Sequence, residues 1–434
     1  MSKEQGSESA VSGSQFIKED EMAEEKEAPK KVSRREFVKG AALGAGALAG
    51  AGALASCAPA ATPVPAQEGA PCPTPWIPAG WDEEADVVVC GYGTGGIPAA
   101  IEAADAGADV LVIEKLAEGG GCARRCGGGV FGGPTSVQKA LGIEDSADLV
   151  YAYFLALGGG FTDPELERVH ADNCGPNVDW LIELGAKIPV EASPSWAEEV
   201  DSGTNIDPGI RFCQTEDYYA EFGVPAIPRA HFITAAPEYQ DLGLFDFMAW
   251  MDGLPGGTGL FKALDDAAQA RQIRMMTGTG LVELVVTPDG EVLGIKALSG
   301  GNTLYIKAKK GVVITTGEWV NNEKMVMTYA PERLEESTIT HPDHAHGEGI
   351  IAGQAIGADL TMMWWNGNFG GGGLRINPKT EVIDLFGEVI PRLYAAPFAA
   401  GGAYYTYTGG SHVSCALCFG RIAGQNAATL DRWA

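Results

Sequence analysis

The segment Asp86–Lys115 reads DVVVCGYGTGGIPAAIEAADAGADVLVIEK and decides the fold of this chain. In it a short apolar run, Val87–Cys90, leads into the glycine-rich Gly91–Gly96, which precedes an alanine-rich helical pattern and a second apolar run. Glycines spaced as GxGxxG permit a sharp turn from strand to helix, a close approach of a pyrophosphate to the backbone, and tight packing of the helix on the strand. The segment therefore predicts a βαβ unit with a phosphate-binding turn.

The end of the second apolar run supports the same interpretation. Glu114 stands about 20 residues beyond the first glycine of the motif, where a carboxylate accepts hydrogen bonds from ribose hydroxyls. The free N–H groups at the start of the intervening helix attract phosphate. A glycine-rich turn in another α/β fold is the alternative, because 60 glycines in 434 residues produce chance matches. The two flanking apolar runs and the acid favour dinucleotide binding.

The bulk composition narrows the class of protein. A chain of 434 residues can hold two or three domains, and 45% hydrophobic residues can form a large buried core. The net charge of −27 argues against a nucleic-acid partner, since phosphate binding needs a basic surface. The composition fits an acidic enzyme that acts on a small molecule.

The first 84 residues differ in composition from the rest. Residues 1–32 are polar and charged and are predicted to be disordered, and Ser33–Lys39 (SRREFVK) resembles the core of a twin-arginine export signal. The apolar stretch that follows, Gly40–Ala55, is too short and too rich in glycine for a good membrane-spanning helix. We assign 1–56 to a disordered region and signal, and 57–84 to a tether rich in proline and alanine.

A lipid anchor is expected at the end of the signal. Leu54–Cys57 (LASC) resembles a bacterial lipobox, in which Cys57 becomes the acylated first residue of the mature chain. Ordinary signal cleavage after Ala60 is the alternative. The expected location is the cell envelope, on the periplasmic or outer face of the cell membrane, with membrane contact only through the anchor. The twin-arginine route carries folded proteins, which agrees with a cofactor bound before export.

Three further segments are distinguished by their patterns. Residues 85–185 and 258–434 alternate apolar runs with helical segments and form the two parts of a predicted α/β, Rossmann-like domain. Residues 186–257 are irregular and dense in aromatic side chains, and they are predicted to be a small inserted cap or lid. Most of these rings are expected to form the core of the cap itself.

Individual elements follow from apolar periodicity and capping signals. Helices are predicted over Ser146–Leu157, Pro164–Leu184 and Gly259–Ala270, the last with Thr258 as its N-cap, and a terminal helix is predicted to open at Gly420–Gly424. Strands are predicted over Arg274–Val286, Glu291–Leu298, Leu304–Ala308, Gly311–Gly317, Glu381–Asp384 and Arg392–Ala396.

The cysteines and histidines do not predict a metal site. The pairs Cys122/Cys126 and Cys415/Cys418 have suggestive spacing but lack further paired ligands, so neither a zinc ion nor an iron–sulfur cluster is expected. The histidines of His341–His346 (HPDHAH) are expected to be solvent-exposed loop side chains, with metal binding as the alternative.

The motifs occur together in an order that resembles one flavoprotein family. After Asp86–Lys115 come Gly120–Gly129, VVITTG (312–317), GEGI (347–350), GGLRIN (372–377), IPRLYAA (390–396) and FGRIAG (419–424). Over most of residues 85–434 the chain resembles the soluble fumarate reductases and 3-ketosteroid dehydrogenases. The resemblance implies an FAD-binding, Rossmann-like domain of the glutathione reductase type.

The resemblance also implies which residues hold FAD. They lie in the first turn, in the glycine-rich loop after Glu114, in the central strands, and at the start of the C-terminal helix. The implied contacts are Gly91, Gly93, Thr94, Gly95, Gly96, Glu114, Lys115, Gly120, Gly121, Cys122, Ala123, Gly127, Gly128, Glu283, Thr316, Gly317, Ala396, Gly410, Val413 and Ser414.

Two departures from the family pattern bear on the substrate. In fumarate reductases a large capping domain, which carries a proton-donating arginine and a substrate-clamping histidine, stands where this chain has only Thr361–Gly371, without arginine or histidine. Tyr407 stands where they keep a second clamping arginine. A dicarboxylate would therefore lack charge-assisted partners. The segment Tyr404–Gly409 resembles the ketosteroid enzymes, in which tyrosine hydroxyls and a glycine N–H polarise a carbonyl. Catalytic roles are expected for Tyr405, Tyr407 and Gly409; the alternative is that the tyrosines only pack on the flavin.

Four further side chains are candidates for substrate contact. Arg229 and His231 lie in the predicted cap, and a structural ion pair is the alternative for Arg229. Trp364 and Trp365 are expected to line an apolar site or its rim.

The favoured hypothesis is an exported FAD-dependent oxidoreductase that transfers hydride between flavin N5 and an activated carbon–carbon bond of an apolar carbonyl compound, such as an enone or ketosteroid. One alternative is a reductase of a small unsaturated acid, in which Arg229, Arg375 or Arg392 replaces the missing clamp. Another is a non-catalytic flavin lipoprotein for electron transfer. The sequence has no second nicotinamide-binding motif and no haem motif, so a membrane-associated quinol or cytochrome is the expected electron donor.

Overall fold

The computed structural model describes residues 77–189, 209–211, 222–239, 256–333, 344–364, 371–403 and 408–433. These residues form thirteen strands, most of which belong to one eight-stranded sheet. The strands are β1 (Glu83–Cys90), β2 (Val110–Ile113), β3 (Gly129–Phe131), β4 (Gly209–Arg211), β5 (Ala230–Phe232), β6 (Arg274–Met276), β7 (Thr279–Val286), β8 (Val292–Ser299), β9 (Asn302–Ile314), β10 (Leu360–Thr361), β11 (Gly373–Leu374), β12 (Glu381–Ile383) and β13 (Val389–Ala395).

The helices connect and cover these strands. They are α1 (Gly96–Asp105), α2 (Ser136–Ala140), α3 (Ala147–Gly158), α4 (Pro164–Glu183), α5 (Gly257–Ala270), α6 (Glu323–Tyr329), α7 (Glu348–Ala355) and α8 (Ser411–Thr429). No helix in the described ranges is long and apolar enough to span a membrane.

Six strands of the large sheet follow the order β12-β13-β9-β1-β2-β6, and along this order every pair except β12–β13 is parallel. Strand β8 pairs antiparallel with β9, and β7 pairs antiparallel with β8. Strand β1 lies between β2 and β9, with Val89 opposite both Val112 and Val313. The prediction of an α/β fold with a parallel sheet is confirmed.

The core lies on both faces of this sheet. Val88 and Cys90 belong to one hydrophobic cluster, and the alternate residues Val87 and Val89 belong to the other. Side chains of a strand alternate between faces, and a parallel sheet covered on both sides needs apolar residues at every position. This requirement explains why the Val87–Cys90 part of β1 is continuously hydrophobic rather than alternating.

Helices α1 and α8 pack against each other closely enough to require glycine. A Cβ added at Gly420 would lie 2.2 Å from the carbonyl oxygen of Gly95, and one added at Gly424 would lie 2.0 Å from that of Ala99. The prediction that the terminal helix opens at these glycines is wrong, because α8 begins at Ser411. The glycines mark a helix–helix contact rather than a helix start.

Three other predicted boundaries differ from the structure. Thr258 lies inside α5 and does not cap it, since its hydroxyl accepts a hydrogen bond from the Ala236 N–H at 2.9 Å. The predicted strand Arg274–Val286 is two strands, β6 and β7, with Gly278 in left-handed geometry between them. The two strands predicted at 304–308 and 311–317 are largely one long strand, β9.

A second, small sheet has the order β3-β5-β4 and is antiparallel. Strands β4 and β5 come from the predicted cap, and β3 comes from the loop that follows the first βαβ unit. Most of the predicted cap lies outside the described residues, so its boundaries stay a prediction.

Candidate cofactor-binding site

The first turn is tightly packed on its protein side. Gly91 has φ +113°, and a Cβ there would lie 2.4 Å from the carbonyl oxygen of Thr315 at the end of β9. A Cβ at Gly96 would lie 1.9 Å from the carbonyl oxygen of Gly91. The Thr315 hydroxyl also donates a hydrogen bond to the Cys90 carbonyl at 2.9 Å. The turn, α1 and the end of β9 are thus fixed against one another.

Three glycines near this turn face open space instead. A Cβ added at Gly93, Gly121 or Gly317 would meet no atom within 4 Å. Gly121 and Gly317 have φ of +44° and +79°, so these positions also favour glycine by conformation. Open glycine backbone at the end of parallel strands, ahead of a helix N-terminus, is the cradle that a pyrophosphate requires. The residues present fit a dinucleotide.

Glu114 is held in a defined orientation. One carboxylate oxygen accepts a hydrogen bond from the N–H of Tyr92 at 2.9 Å, and the other accepts one from the N–H of Leu116 at 2.9 Å. The side chain is 8% exposed. Each carboxylate oxygen has a second lone pair, so Glu114 can still accept hydrogen bonds from ribose hydroxyls. Its neighbour Lys115 forms an ion pair with Glu348 of α7 at 2.5 Å.

The glycine-rich loop after β2 is fastened to the first turn. The N–H of Gly120 donates to the Tyr92 carbonyl at 2.7 Å, and a Cβ at Gly119 would lie 2.3 Å from the Tyr92 ring. Gly128, with φ +79°, lies against Gly256 at the start of α5. The loop therefore approaches the first turn without room for side chains.

Cys122 of this loop contacts a histidine that the sequence placed in solvent. Its sulfur lies 3.5 Å from Nε2 of His344, and both His344 and His346 are half-buried rather than exposed. Burial raises the pKa of Cys122, and burial raises the pKa of Cys126 to about 11, so both thiols stay protonated near neutral pH. Across the described residues, no three histidine, cysteine or acidic side chains are grouped to hold a metal ion.

The same loop contains a cation that the sequence analysis missed. Arg124 is buried and pairs with Glu118 at 2.7 Å. Arg125 is half-buried, donates to the Gly121 carbonyl at 3.1 Å, and pairs with no carboxylate among the described side chains. Burial and the neighbouring Arg124 lower the pKa of Arg125. The sequence feature that could have indicated this cation is the pair of consecutive arginines, Arg124 and Arg125, inside a glycine-rich loop.

The start of α8 reaches the other side of this loop. Gly410 has φ +80°, and a Cβ there would lie 2.5 Å from the backbone of Gly129. The Phe131 N–H donates to the Gly410 carbonyl at 3.1 Å. The first turn, the glycine-rich loop and the N-terminus of α8 are thus contiguous, as the FAD contacts implied by the resemblance require.

Other implied FAD contacts lie around these elements. Ala123 is buried, Thr94 and Gly127 are half-buried, and Val413 packs at the edge of a core cluster. The hydroxyl of Thr316 accepts a hydrogen bond from an N–H of α7, and the Ala396 N–H donates to β9.

Glu283 occupies a solvent-facing position. Its side chain is 59% exposed and pairs with Lys296 at 2.9 Å. Glu283 thus takes part in the antiparallel pairing of β7 with β8, where Lys296 is its cross-strand neighbour.

Arg229 and His231 are bound within the protein, contrary to the suggested substrate role. Both nitrogens Nε and Nη2 of Arg229 donate to the carboxylate of Asp145, at 2.8 and 2.7 Å, and both side chains are fully buried. His231 is also fully buried, with Nε2 2.9 Å from the Thr135 hydroxyl and Nδ1 2.9 Å from the Arg229 carbonyl. The structural ion pair, which the sequence left open as the alternative, is the one observed.

The expected catalytic residues are only partly described. Tyr405, Tyr407 and Trp365 lie outside the described residues, and so does Cys57. Gly409 directly precedes Gly410 at the start of α8. Trp364 is 45% exposed, with its ring 5.2 Å from that of Phe161 in a T-shaped contact.

The fold and this site define a dinucleotide-binding α/β protein with a glycine-lined cradle. The FAD binding domain family matches residues 86–366, and the chain belongs to that family. Its cofactor is FAD, as predicted.

Named relatives are reductases and dehydrogenases. The chain is 29% identical over 292 residues to a urocanate reductase of Eggerthella lenta, an alignment that covers 67% of this chain and 41% of the relative. It is 27% identical over 296 residues to an NADH:fumarate oxidoreductase of Klebsiella pneumoniae, covering 68% of this chain and 26% of the relative. The chain thus spans less than half the length of these two proteins.

Solved structures share the fold. A 3-ketosteroid-Δ4-(5α)-dehydrogenase of Rhodococcus jostii in complex with 4-androstene-3,17-dione superposes with a TM-score of 0.70 and 23% identity. The superposition covers 81% of this chain and 98% of that one.

Proposed function

We propose that this protein is an FAD-dependent oxidoreductase that acts on the carbon–carbon bond beside a carbonyl in an apolar, uncharged substrate. The single observation that carries the choice of substrate class is that Arg229, Arg375 and Arg392, the three arginines expected to replace the missing cationic clamp, are already paired with carboxylates. The similarity to named reductases and dehydrogenases supports the reaction type.

The three arginines that could replace the family's cationic clamp have carboxylate partners. Arg229 forms the buried pair with Asp145. Arg375 pairs with Asp359 at 3.1 Å. Arg392 pairs with Glu291 and also donates to three backbone carbonyls. Recruiting any of them for a dicarboxylate would break an existing ion pair, which disfavours fumarate as the substrate.

Two exposed aromatic side chains lie near a backbone contact of Gly402, a residue that shortly precedes the predicted catalytic tyrosines in the sequence. Phe161 and Trp364 are 55% and 45% exposed and contact each other. The Asp163 N–H, two residues from Phe161, donates to the Gly402 carbonyl at 2.8 Å. Exposed aromatic surface of this kind marks a binding site more often than plain surface does, and it suits an apolar substrate.

FAD, when bound in the cradle, supplies the hydride chemistry. The Tyr405 or Tyr407 hydroxyl is proposed to donate a proton or to hold the developing enolate oxygen, with the Gly409 N–H as a second donor. Y405F and Y407F, made singly, are expected to slow turnover roughly tenfold or more if the altered hydroxyl has this role. Unchanged turnover in both would discard the assignment.

The test of the reaction is anaerobic reoxidation of the reduced holoprotein, followed by flavin absorbance. Cyclic and steroidal enones are expected to reoxidise it faster than buffer alone. Reoxidation no faster than in buffer would contradict the proposal. A flavin that can be titrated between its redox states but responds to neither ketones nor acids would instead indicate an electron-transfer role.

A second candidate, reduction of a small unsaturated acid, is favoured by Arg125. This half-buried guanidinium in the glycine-rich loop has no carboxylate partner among the described residues, so it remains available to a substrate carboxylate. The similarity to a urocanate reductase agrees with it. Saturable reoxidation by acrylate or urocanate, lost in R125Q and absent with enones, would replace the first candidate.

Export and the electron donor are proposed from the sequence. The SRREFVK segment and Cys57 support twin-arginine export followed by acylation in the cell envelope. Labelling of the cell-expressed protein with a fatty-acid analogue is expected to occur and to be abolished in C57S. A membrane quinol or a cytochrome is the proposed donor, and rapid reduction of the holoprotein by NADH alone would contradict that proposal.

A further inference from the structure

Helices α4 and α8 pack side by side and run in the same direction. His170 contacts Ser414 near the start of α8, and Asn177, further along α4, accepts a hydrogen bond from Arg421 at 2.7 Å. Contacts therefore advance together along both helices, and their N-terminal ends meet. Gly402, at the same end, accepts the hydrogen bond from the N–H of Asp163, the N-cap of α4.

Glu167 is buried on the face of α4 that is turned towards α8. Its side chain is 3% exposed, and one carboxyl oxygen has the Thr162 hydroxyl as its partner. The other oxygen, Oε2, is buried and has no hydrogen-bond partner among the residues that the structure describes. Burial, reinforced by the nearby Asp163, raises the pKa of Glu167 well above its usual value, which favours the protonated form of this carboxyl.

His170 lies one turn further along the same face. It is fully buried, and its Nε2 lies 3.0 Å from the Ser414 hydroxyl. Its other ring nitrogen, Nδ1, is buried and is not hydrogen-bonded to any group in the described part of the chain. The ring stacks on Phe154 at 4.4 Å, and burial lowers the pKa of His170 to about 3, so the imidazole is neutral.

We propose that Glu167 and His170 form a proton relay from the Thr162 turn to the Ser414 hydroxyl at the start of α8. Residues three apart on a helix are neighbours about 5–6 Å apart at Cβ, so one water molecule can join the two unpartnered atoms, each of which needs a hydrogen bond. This inference rests on the proposed function, because it takes the start of α8 as the flavin side of the site.

The relay balances the reaction. Reduction of a carbon–carbon double bond takes up one hydride and one proton, and the hydride comes from the flavin. Glu167 gives its proton towards Nδ1 of His170, which releases the proton held at Nε2 to Ser414. The Ser414 hydroxyl passes one proton to the site, and Glu167 regains one from solvent through Thr162. Glu167, His170 and Ser414 each end with the number of protons they began with; His170 ends as its other tautomer, with the proton on Nδ1, and returns to the Nε2 tautomer before the next turnover.

Among the described residues, the titratable groups around the relay are buried thiols or acids with partners of their own. On the α8 side, Cys415 and Cys418 are buried thiols, and burial raises the pKa of each. On the α4 side, Asp163 caps its own helix by accepting from the Glu165 N–H at 2.9 Å. Arg168 is turned to Asp148 and Asp172 at the surface. Glu167 therefore remains the proton-bearing acid of this cluster.

Infrared difference spectra of the holoprotein, reduced minus oxidised, test the relay without any substrate. A carbonyl band of a protonated carboxylic acid is expected to change on flavin reduction and to shift in D2O. The band is expected to disappear in E167Q and to persist in E165Q, a matched change at an exposed position of the same helix turn. A spectrum without such a band, or a band unchanged in E167Q, would overturn the proposal.

Kinetics supply the second readout. E167Q and H170F are expected to slow reoxidation by an enone roughly tenfold or more, while ferricyanide, which takes electrons without a proton, reoxidises the flavin at an unchanged rate. Equal slowing with both oxidants would indicate a merely structural role and overturn the relay. If no enone reoxidises even the unaltered protein, the proposed function fails while the infrared result still decides the relay.

Discussion

The first βαβ unit and the region around the small sheet β3-β5-β4 are both tightly packed, but different parts of the chain hold them together. The first is shaped by backbone: Gly91, Gly96 and Thr315 touch through main-chain atoms, and Glu114 binds N–H groups. The second is shaped by buried side chains, with Arg229 paired to Asp145 across 84 positions of sequence. A backbone constraint can be predicted from residues that are close together in the sequence. A side-chain pair depends on segments that meet only after folding.

The largest loss of stability is expected when the buried ion pair of Arg229 and Asp145, beside the small sheet, is broken. R229M is expected to destabilise the protein by about 3–5 kcal/mol, because it leaves a buried carboxylate without its partner. Urea unfolding of the apoprotein measures the loss. The double variant R229M/D145L is expected to recover most of it, since an apolar pair of similar volume removes both buried charges.

A small effect of R229M alone would contradict the structural role. Loss of substrate turnover at unchanged stability would restore the substrate role that the sequence suggested. FAD affinity of the folded variant is expected to be unchanged, because the pair does not contact the glycine cradle in the described residues.

This contrast explains what the sequence could predict. The parallel sheet, the FAD turn and Glu114 followed from residues close together in sequence, each with one backbone requirement. Arg229 and His231 were suggested as substrate contacts because nothing in the sequence tells that Asp145 and Thr135 lie against them. The predicted start of the terminal helix lies too far along the chain for a similar reason. Gly420 is glycine because it contacts Gly95, which belongs to a segment distant in sequence.

The second largest loss of stability is expected from a substitution in the first βαβ unit. In G96A the new Cβ would lie 1.9 Å from the Gly91 carbonyl oxygen, between two backbone segments that cannot move apart. Overpacking of this kind costs about 3 kcal/mol, seen as a lower urea midpoint of the apoprotein. G93A is the matched control, because its Cβ would meet no protein atom within 4 Å.

The control has a separate expected effect. G93A should fold with unchanged stability but bind FAD more weakly, since the added methyl occupies the side from which the pyrophosphate approaches. Titration of the apoprotein with FAD measures this. Equal stability loss in both variants would show that the turn is not divided into a packed side and an open side.

The buried His231 of the small sheet makes the stability of the second region depend on pH. Burial lowers the pKa of His231 to about 4, and the unfolded chain titrates near 6.5. Below that value the unfolded state binds the proton that the folded state refuses, so stability is present above pH 6.5 and is lost as pH falls towards 4. The expected slope is about 1.4 kcal/mol per pH unit for each such histidine.

The measurement is urea unfolding at stepped pH values. H231Q is expected to make the loss on acidification shallower by one proton, whereas His346, half-buried and outside the small sheet, serves as the control position for H346Q. Identical acid profiles of the unaltered protein and H231Q would contradict the neutral, buried state of His231.

The smallest effect is expected at Lys115, where the first region ends in side chains rather than backbone. Lys115 and Glu348 are each about 30% exposed, at 29% and 30%, and such pairs contribute roughly 1 kcal/mol or less. K115M should therefore change stability little, as should K262M, which breaks a comparable exposed pair with Asp266.

FAD titration separates the two roles of Lys115. An affinity loss of more than roughly tenfold, about 1.4 kcal/mol, in K115M but not in K262M would mean that Lys115 leaves Glu348 to bind the cofactor, as the resemblance implies. Equal affinities would assign Lys115 to holding α7 against the first βαβ unit.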